Sequence, residues 1–297
     1  MTPRLHLIGN PGARGRPEEL MPRAEAIARD RGWETLRAVS EMRGHAYILA
    51  GEAVAEGSDL VLAVGGDGTV REVAAGLAAT SVPLGIVPAG SGNSSYLELF
   101  GADGWEDVLA AILERRAMRL VDLIELQPTG EYSLLGFSAG WFAQVIQQAS
   151  TISATGTTLG AAGAGAAARA HHSFPATIRA DGRVVAEGEF GLVAIGGGRV
   201  RASKFTIFPD SRLDDGLLEL LVVRATTATG FDEWLEAVLQ GTHLEPPRSI
   251  YTRAREVAIS APAGLVAEID GDAWDRDVYS VEASCARGRL AVAATTG

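Results

Sequence analysis

The stretch that most constrains the fold is Asp59 to Glu72, DLVLAVGGDGTVRE. Leu60 to Val64 is an unbroken apolar run, too short for a helix and closed by glycine, so it predicts a parallel strand buried on both faces. Gly65-Gly66-Asp67-Gly68-Thr69 follows, and then Val70, Val73, Ala74 and Leu77 recur at helical spacing. A strand, a glycine turn and a helix in that order put backbone N–H groups and the positive end of a helix dipole at the carboxyl edge of a sheet, where phosphate can be held. Asp67 adds a negative charge there. Beside a polyphosphate that is useful if the carboxylate handles Mg²⁺, directly or through water, or a ribose hydroxyl. Taken alone, the turn is equally compatible with a plain tight connection.

The neighbouring segments favour a nucleotide. Leu5 to Ile8 predicts a first strand running into Asn10, Pro11 and Gly12, with a helix from about Glu18. Glu34 to Val39 predicts a second strand ending at Ser40, and a helix from about Gly44 to Glu56 leads to the central stretch. Leu84 to Val87 predicts another strand, ending in Pro88-Ala89-Gly90-Ser91-Gly92-Asn93. This is a βαβα rhythm with short connections, the pattern of a doubly wound α/β sheet. Ligands of such sheets sit outside the carboxyl ends of the strands, where Asn10 to Gly12, Ser40 and Gly65 to Thr69 all fall. Ser91 can bond a phosphate or ribose oxygen, or serve as a turn residue or helix cap. Asp122 lies in the apolar strand RLVDLIEL, where a charge is costly without a partner. The preferred reading is a carboxylate supporting the metal near Asp67; the alternative is a surface-facing aspartate on an edge strand.

The second half has a different texture. From about Pro175, short apolar runs alternate with turns, and Asp181-Gly182 is a strong hairpin signal. The expectation is a mainly antiparallel β-sandwich or flattened barrel, interrupted by one helix near 230–240. Domain boundaries are expected at 1–121 and 122–297, with the last strand able to return to the first domain. The active site is expected in the interdomain cleft. Residues 150–173, rich in Thr, Gly and Ala, predict a loosely held helix and loop.

Composition excludes several classes. With a formal net charge of −11, the chain is a poor general binder of nucleic acid or of anionic membranes. The single cysteine, Cys285, forms no intramolecular disulfide, which suits the cytoplasm. No stretch reads as a signal peptide or a membrane span. Contact with a lipid surface would be peripheral or transient, through apolar loops around 141–165. A homodimer is compatible with the reading.

Together these motifs resemble the diacylglycerol kinase catalytic domain, whose superfamily also holds sphingosine kinases, ceramide kinases and small bacterial lipid kinases. The carriers are GGDGT at 65–69, the Asn10-Pro11 loop, Gly90-Ser91-Gly92-Asn93, PDSRLDDGLLEL at 209–220 and Asp270-Gly271-Asp272. The resemblance implies an ATP- and Mg²⁺-dependent kinase that phosphorylates a hydroxyl of diacylglycerol or a related lipid. It matches Asn10, Pro11, Gly12, Ser40, Gly66 through Glu72 and Ser91 to ATP contacts. It assigns a structural or regulatory metal to the Asp215 carboxylate with the backbone carbonyls of Arg212 and Leu217. Asp272 matches the proton acceptor, usually Glu, and Asp67 the carboxylate that organises the catalytic metal. Two departures stand out: Asn93-Ser94 where the family carries Asn-Asp, and Arg199-Val200-Arg201 where it is more apolar or amide-rich. The competing readings are an NAD kinase, which shares GGDGT and whose second signature Ala154 to Thr158 faintly matches, and a catalytically impaired nucleotide- or lipid-binding homologue.

Overall fold

The structure is a computed structural model that describes residues 2–11, 17–151, 173–201 and 205–295. The chain divides into two compact units, residues 1–123 with 287–297, and residues 124–286.

The first unit runs β1 (Arg4–Gly9), α1 (Pro17–Arg29), β2 (Glu34–Val39), α2 (His45–Ala55), β3 (Leu60–Gly65), α3 (Asp67–Leu77), β4 (Leu84–Pro88), α4 (Ser94–Phe100), α5 (Trp105–Arg115) and the start of β5 (Ala117–Gln127). Its strands lie side by side as β4-β3-β1-β2, all parallel. From β1 the chain moves outward to β2 and then back past β1 to β3, so the winding reverses between β1 and β3. That reversal is the topological switch point, where the helices leave a crevice at the carboxyl ends of the strands. All six residues of β3 are buried, which is why the strand reads as a continuous apolar run with no alternation. Leu60 and Leu62 alone each contribute about 1.5–3 kcal/mol by leaving water. β2 is the edge strand and shows the mixed exposure that its polar residues foretell.

The second unit begins within β5 and continues through β6 (Glu131–Ser133), β7 (Gly136–Gly140), α6 (Trp141–Thr151), β8 (Phe174–Ala180), β9 (Arg183–Gly196), β10 (Val200–Arg201), β11 (Phe205–Thr206), β12 (Leu218–Arg224), α7 (Ala228–Gln240), β13 (Ile250–Ala254), β14 (Glu256–Ile269) and most of β15 (Asp272–Ala294). Three long strands each serve two sets of neighbours. The first part of β9 pairs with β8, and its last part with β7 and β12. β14 pairs early with β8 and late with β7. A register shift between Ser260 and Leu265 marks where β14 bends. The inner faces close over Phe137, Ile178, Phe190, Val193, Ile195, Leu220, Val222 and Ile259. The alternate residues Leu192, Ala194, Leu221 and Val223 point outward and are covered by Trp141 of α6 and Phe231, Trp234 and Val238 of α7. With both faces covered, the stretches 192–195 of β9 and 220–223 of β12 are apolar at every position.

Ser138-Ala139-Gly140 forms the end of strand β7, directly before α6. The segments 256–260 and 265–269 are one bent strand, and 278–283 and 289–293 lie in one strand of 23 residues. β13 was not foreseen from the sequence: it is five residues long, mixed in polarity, and ordered by pairing with β12. β15 pairs with β14 in the second unit, and its last residues run parallel to β4 in the first. Most of the segment 150–173, expected as a loosely held helix and loop, lies outside the described residues, as do Ala154 to Thr158; its first two residues end α6.

Candidate functional site

In the first unit, the expected nucleotide loops meet at the carboxyl ends of β1 to β4. The Asn10 amide donates to the Val64 carbonyl, the Ser40 amide to Gly9, and the Ala89 amide to Gly65, at 3.3, 2.8 and 2.9 Å. Ser40 is buried and turns its hydroxyl onto the Met42 carbonyl. Pro11 is exposed, and Gly12 lies outside the described residues.

The two glycine turns after β3 and β4 touch backbone to backbone. A Cβ on Gly90 would stand 2.5 Å from the Cα of Gly66, and a Cβ on Gly66 3.1 Å from the Cα of Gly90. No rotamer change relieves such a clash, because the obstructing atom is main chain. Asn93 locks the second turn: its side chain accepts from the Gly90 amide at 2.8 Å and donates to the Gly90 carbonyl at 3.0 Å. Asn93 itself sits at φ 53, a left-handed conformation that Asn tolerates. Ser91, between the glycines, is exposed.

Two acidic residues of the first site have structural partners that the sequence did not reveal. Asp67 opens α3, and its carboxylate accepts from the Ser95 amide at 2.8 Å and the Ser94 amide at 3.1 Å. It therefore caps α4 and ties the two glycine turns together. Glu72 accepts from the Gly44 amide at 2.8 Å and the Ala46 amide at 3.2 Å. It caps the start of α2, whose own N-cap, Gly44, has no side chain to offer. A carboxylate at a helix N-terminus also gains from the helix dipole. Thr69 is buried and its hydroxyl lies against Gly65. Gly68 falls in the first turn of α3. Asp122 is buried in β5 and accepts from the Gly288 amide at 2.6 Å.

In the second unit, Asp270 and Gly271 form a two-residue hairpin between Ile269 and Asp272. Both central residues have positive φ, 50 and 88, the conformation for which Asp-Gly is the preferred pair. Asp270 points inward. Its buried carboxylate accepts from the Ser133 hydroxyl at 2.6 Å and from the Leu134, Leu135 and Gly136 amides at 2.9 Å. Asp270 thus serves the β6–β7 turn. Asp272 begins β15 and is partly exposed. Glu268, which the sequence reading missed, is buried two residues before Asp270. It accepts from the Ser138 hydroxyl at 2.6 Å and from the Gly271 amide at 2.8 Å, bracing the turn that carries Asp272.

At Asp215 the structure differs from the expected oxygen cage. One carboxylate oxygen accepts from the Leu217 amide at 3.1 Å, and the other meets the Arg253 guanidinium. Arg212 is exposed and its side chain bonds Asp214 at 3.1 Å. As folded, with an amide and a guanidinium on its carboxylate, this turn does not fit a divalent ion. Among the described residues, no group of three or more His, Cys, Asp or Glu is placed to hold a metal.

Two family descriptions match the chain. Residues 4–126 match the description of the diacylglycerol kinase catalytic domain, and residues 137–294 that of the YegS C-terminal NAD kinase beta sandwich-like domain. Diacylglycerol kinases of Staphylococcus aureus are similar: in strain RF122 / ET3-1 the identity is 26% over 280 residues, covering 92% of this chain and 87% of the relative. A crystal structure of a diacylglycerol kinase from Bacillus anthracis superposes with a TM-score of 0.71 at 21% identity, covering 98% of this chain and 96% of that one. Yeast NADH kinase, in complex with NADH, shares the fold at a TM-score of 0.53 and 9% identity, over 98% of this chain and 82% of that one. With one description spanning the glycine-loop half and the other the β-rich half, the chain belongs to the diacylglycerol kinase family and is a lipid kinase.

Proposed function

We propose that the protein transfers the γ-phosphoryl group of ATP to a hydroxyl of diacylglycerol or a closely related lipid. The observation that carries this reading is the mutual packing of the Gly66 and Gly90 turns at the carboxyl ends of adjacent parallel strands, within the residues matched to the diacylglycerol kinase catalytic domain. Bare glycine backbone and the N-terminus of α3 suit a chain of phosphates. Asn10, Pro11, Gly12, Ser40, Gly65, Gly68, Thr69 and Ser91 complete the proposed nucleotide contacts. Glu72 contributes by fixing α2 behind them. Asp67 is the carboxylate that would handle Mg²⁺ in the first unit, directly or through water, with Asp122 supporting it; carboxylate oxygens are the ligand type a hard cation takes. When bound with the triphosphate, that ion neutralises charge on the phosphoryl oxygens. Asp67 orders the loop after β4 whether or not the ion is present. Asp272 takes the proton of the lipid hydroxyl, and Glu268 keeps the Asp272 turn in place. Phosphoryl transfer needs little covalent chemistry from a protein, so positioning accounts for most of the acceleration.

No helix among the described residues is long and apolar enough to cross a membrane. We place the enzyme in the cytoplasm, reaching its lipid through transient contact with a bilayer surface.

The test is transfer of labelled phosphate from ATP, with Mg²⁺, to a panel of diacylglycerols, monoacylglycerols, sphingoid bases and NAD. The expected product is a lipid phosphate monoester. Asp272→Asn is expected to lower kcat by roughly 10²–10⁴-fold, the usual contribution of a general base, with a smaller change in the KM for ATP. Turnover of NAD alone, or of none of the lipids, would sink the proposal. Ser94, in place of an acidic residue, is the position to change next: a gain in kcat on Ser94→Asp would show that metal binding limits the natural enzyme.

A further inference from the structure

The turn at 209–217 is where the family resemblance expects a structural metal, and the chain meets that expectation in another way. β12 and β13 are antiparallel and register Glu219 opposite Arg253. Glu219 is only 1% exposed, so its carboxylate lies in the interior, where a charge must be compensated. Arg253 supplies the compensation. Its Nε donates to Glu219 at 3.0 Å, and its Nη2 donates to Asp215 on the turn before β12. Tyr251 donates its hydroxyl to the second oxygen of Glu219. One guanidinium thus joins two carboxylates that would otherwise repel. Its planar fork can do this without the six to eight oxygen ligands that a calcium ion requires, or the near-octahedral set that magnesium requires.

The electrostatics agree. Bonding to Asp215, opposed in part by burial and aided by the charge of Glu219, holds the Arg253 guanidinium above its ordinary pKa. Burial, followed by the bond to Glu219, pushes the Tyr251 phenol well above its ordinary range.

We propose that Arg253 is the resident counterion of the 209–217 turn, clamping Asp215 to Glu219 in place of a divalent cation. The turn then orders itself with no metal at Asp215. A guanidinium in this position also repels an incoming cation. Removing it leaves two neighbouring carboxylates with no counter-charge, which is a latent divalent site.

The experiment uses the full chain without nucleotide, so its outcome is separate from that of the kinase assay. Melting temperatures of the wild type, Asp215→Asn, Arg253→Ala and the double variant are measured in chelator and across a titration with Mg²⁺ or Ca²⁺. The wild type and Asp215→Asn are expected to respond identically to added cation. Arg253→Ala is expected to melt about 3–6 °C lower in chelator, less than for a fully buried pair because the guanidinium is partly exposed while Glu219 is buried. It should regain part of that loss in millimolar Mg²⁺ or Ca²⁺, and the double variant should not. A cation-dependent rise in wild-type melting that Asp215→Asn abolishes would overturn the proposal. So would an Arg253→Ala protein that melts like the wild type in chelator. The comparison of wild type with Asp215→Asn decides the matter even if Arg253→Ala does not fold.

Discussion

Asp270 and Asp272 are two residues apart, and the structure gives them opposite jobs. Replacing each by Asn separates stability from chemistry. Oδ1 of Asp270 accepts from Ser133, Leu135 and Gly136, and Oδ2 accepts from Leu134. An asparagine offers one oxygen, and its amide nitrogen would then face the Leu134 N–H. Leaving that buried donor unpaired costs about 1–3 kcal/mol. The other three bonds lose the ionic acceptor and roughly half their strength, about 1 kcal/mol each. The expected total for Asp270→Asn is about 4–6 kcal/mol, a large share of the roughly 5–15 kcal/mol that stabilises a typical domain. For a unit of this size that corresponds to a fall in melting temperature of roughly 10–20 °C. Asp272→Asn, on a partly exposed residue, should melt within about 2 °C of the wild type while losing turnover. Scanning calorimetry is the suitable assay, because two units can unfold in separate transitions. If Asp270→Asn melts within about 2 °C of the wild type, the four bonds do not carry the load assigned to them, and the division of labour in this turn is wrong.

Three further outcomes are expected. Gly90→Ala should open the packed glycine turns and weaken ATP binding by more than roughly tenfold, as seen by calorimetric titration, because the obstructing atom on Gly66 is main chain. Glu72→Ala should destabilise the fold by about 1–2 kcal/mol through loss of the α2 cap; a large loss of ATP affinity with unchanged melting would instead assign Glu72 to the nucleotide. The Glu131 carboxyl would be raised by burial, but the Trp274 indole N–H, Thr129 and the charge of Arg276 outweigh this and hold it below its ordinary value. A lowered folded-state pKa gives stability that is present above the unfolded carboxyl's pKa and lost as pH falls through the folded one. Urea unfolding between about pH 5 and 3 should therefore show a shallower acid loss for Glu131→Gln than for the wild type, by less than about 1 kcal/mol given the partial exposure. Equal slopes would refute it.

The sequence by itself determined the order of strands and helices in the first unit, and for a physical reason. Each βα step there is local: an apolar run fixes the strand, glycine fixes the turn, and 3.6-residue spacing fixes the helix. The glycine loops and the Asp-Gly hairpin at 181–182 were legible on the same grounds, and the family from the motifs that carry its resemblance. Long-range pairing was not. Only the tertiary structure decided that Asp67 caps α4 from 28 residues away and that Glu72 caps α2. Only pairing with β12 made a strand of the short, mixed segment 250–254, and only that strand brought Arg253 to Asp215 and Glu219. Whether an acidic side chain serves a ligand or a backbone amide depends on what the fold places opposite it. The amide partners described for Glu72, Asp67, Asp270 and Asp122 lie 26 to 166 residues away, a separation at which sequence pattern carries no signal.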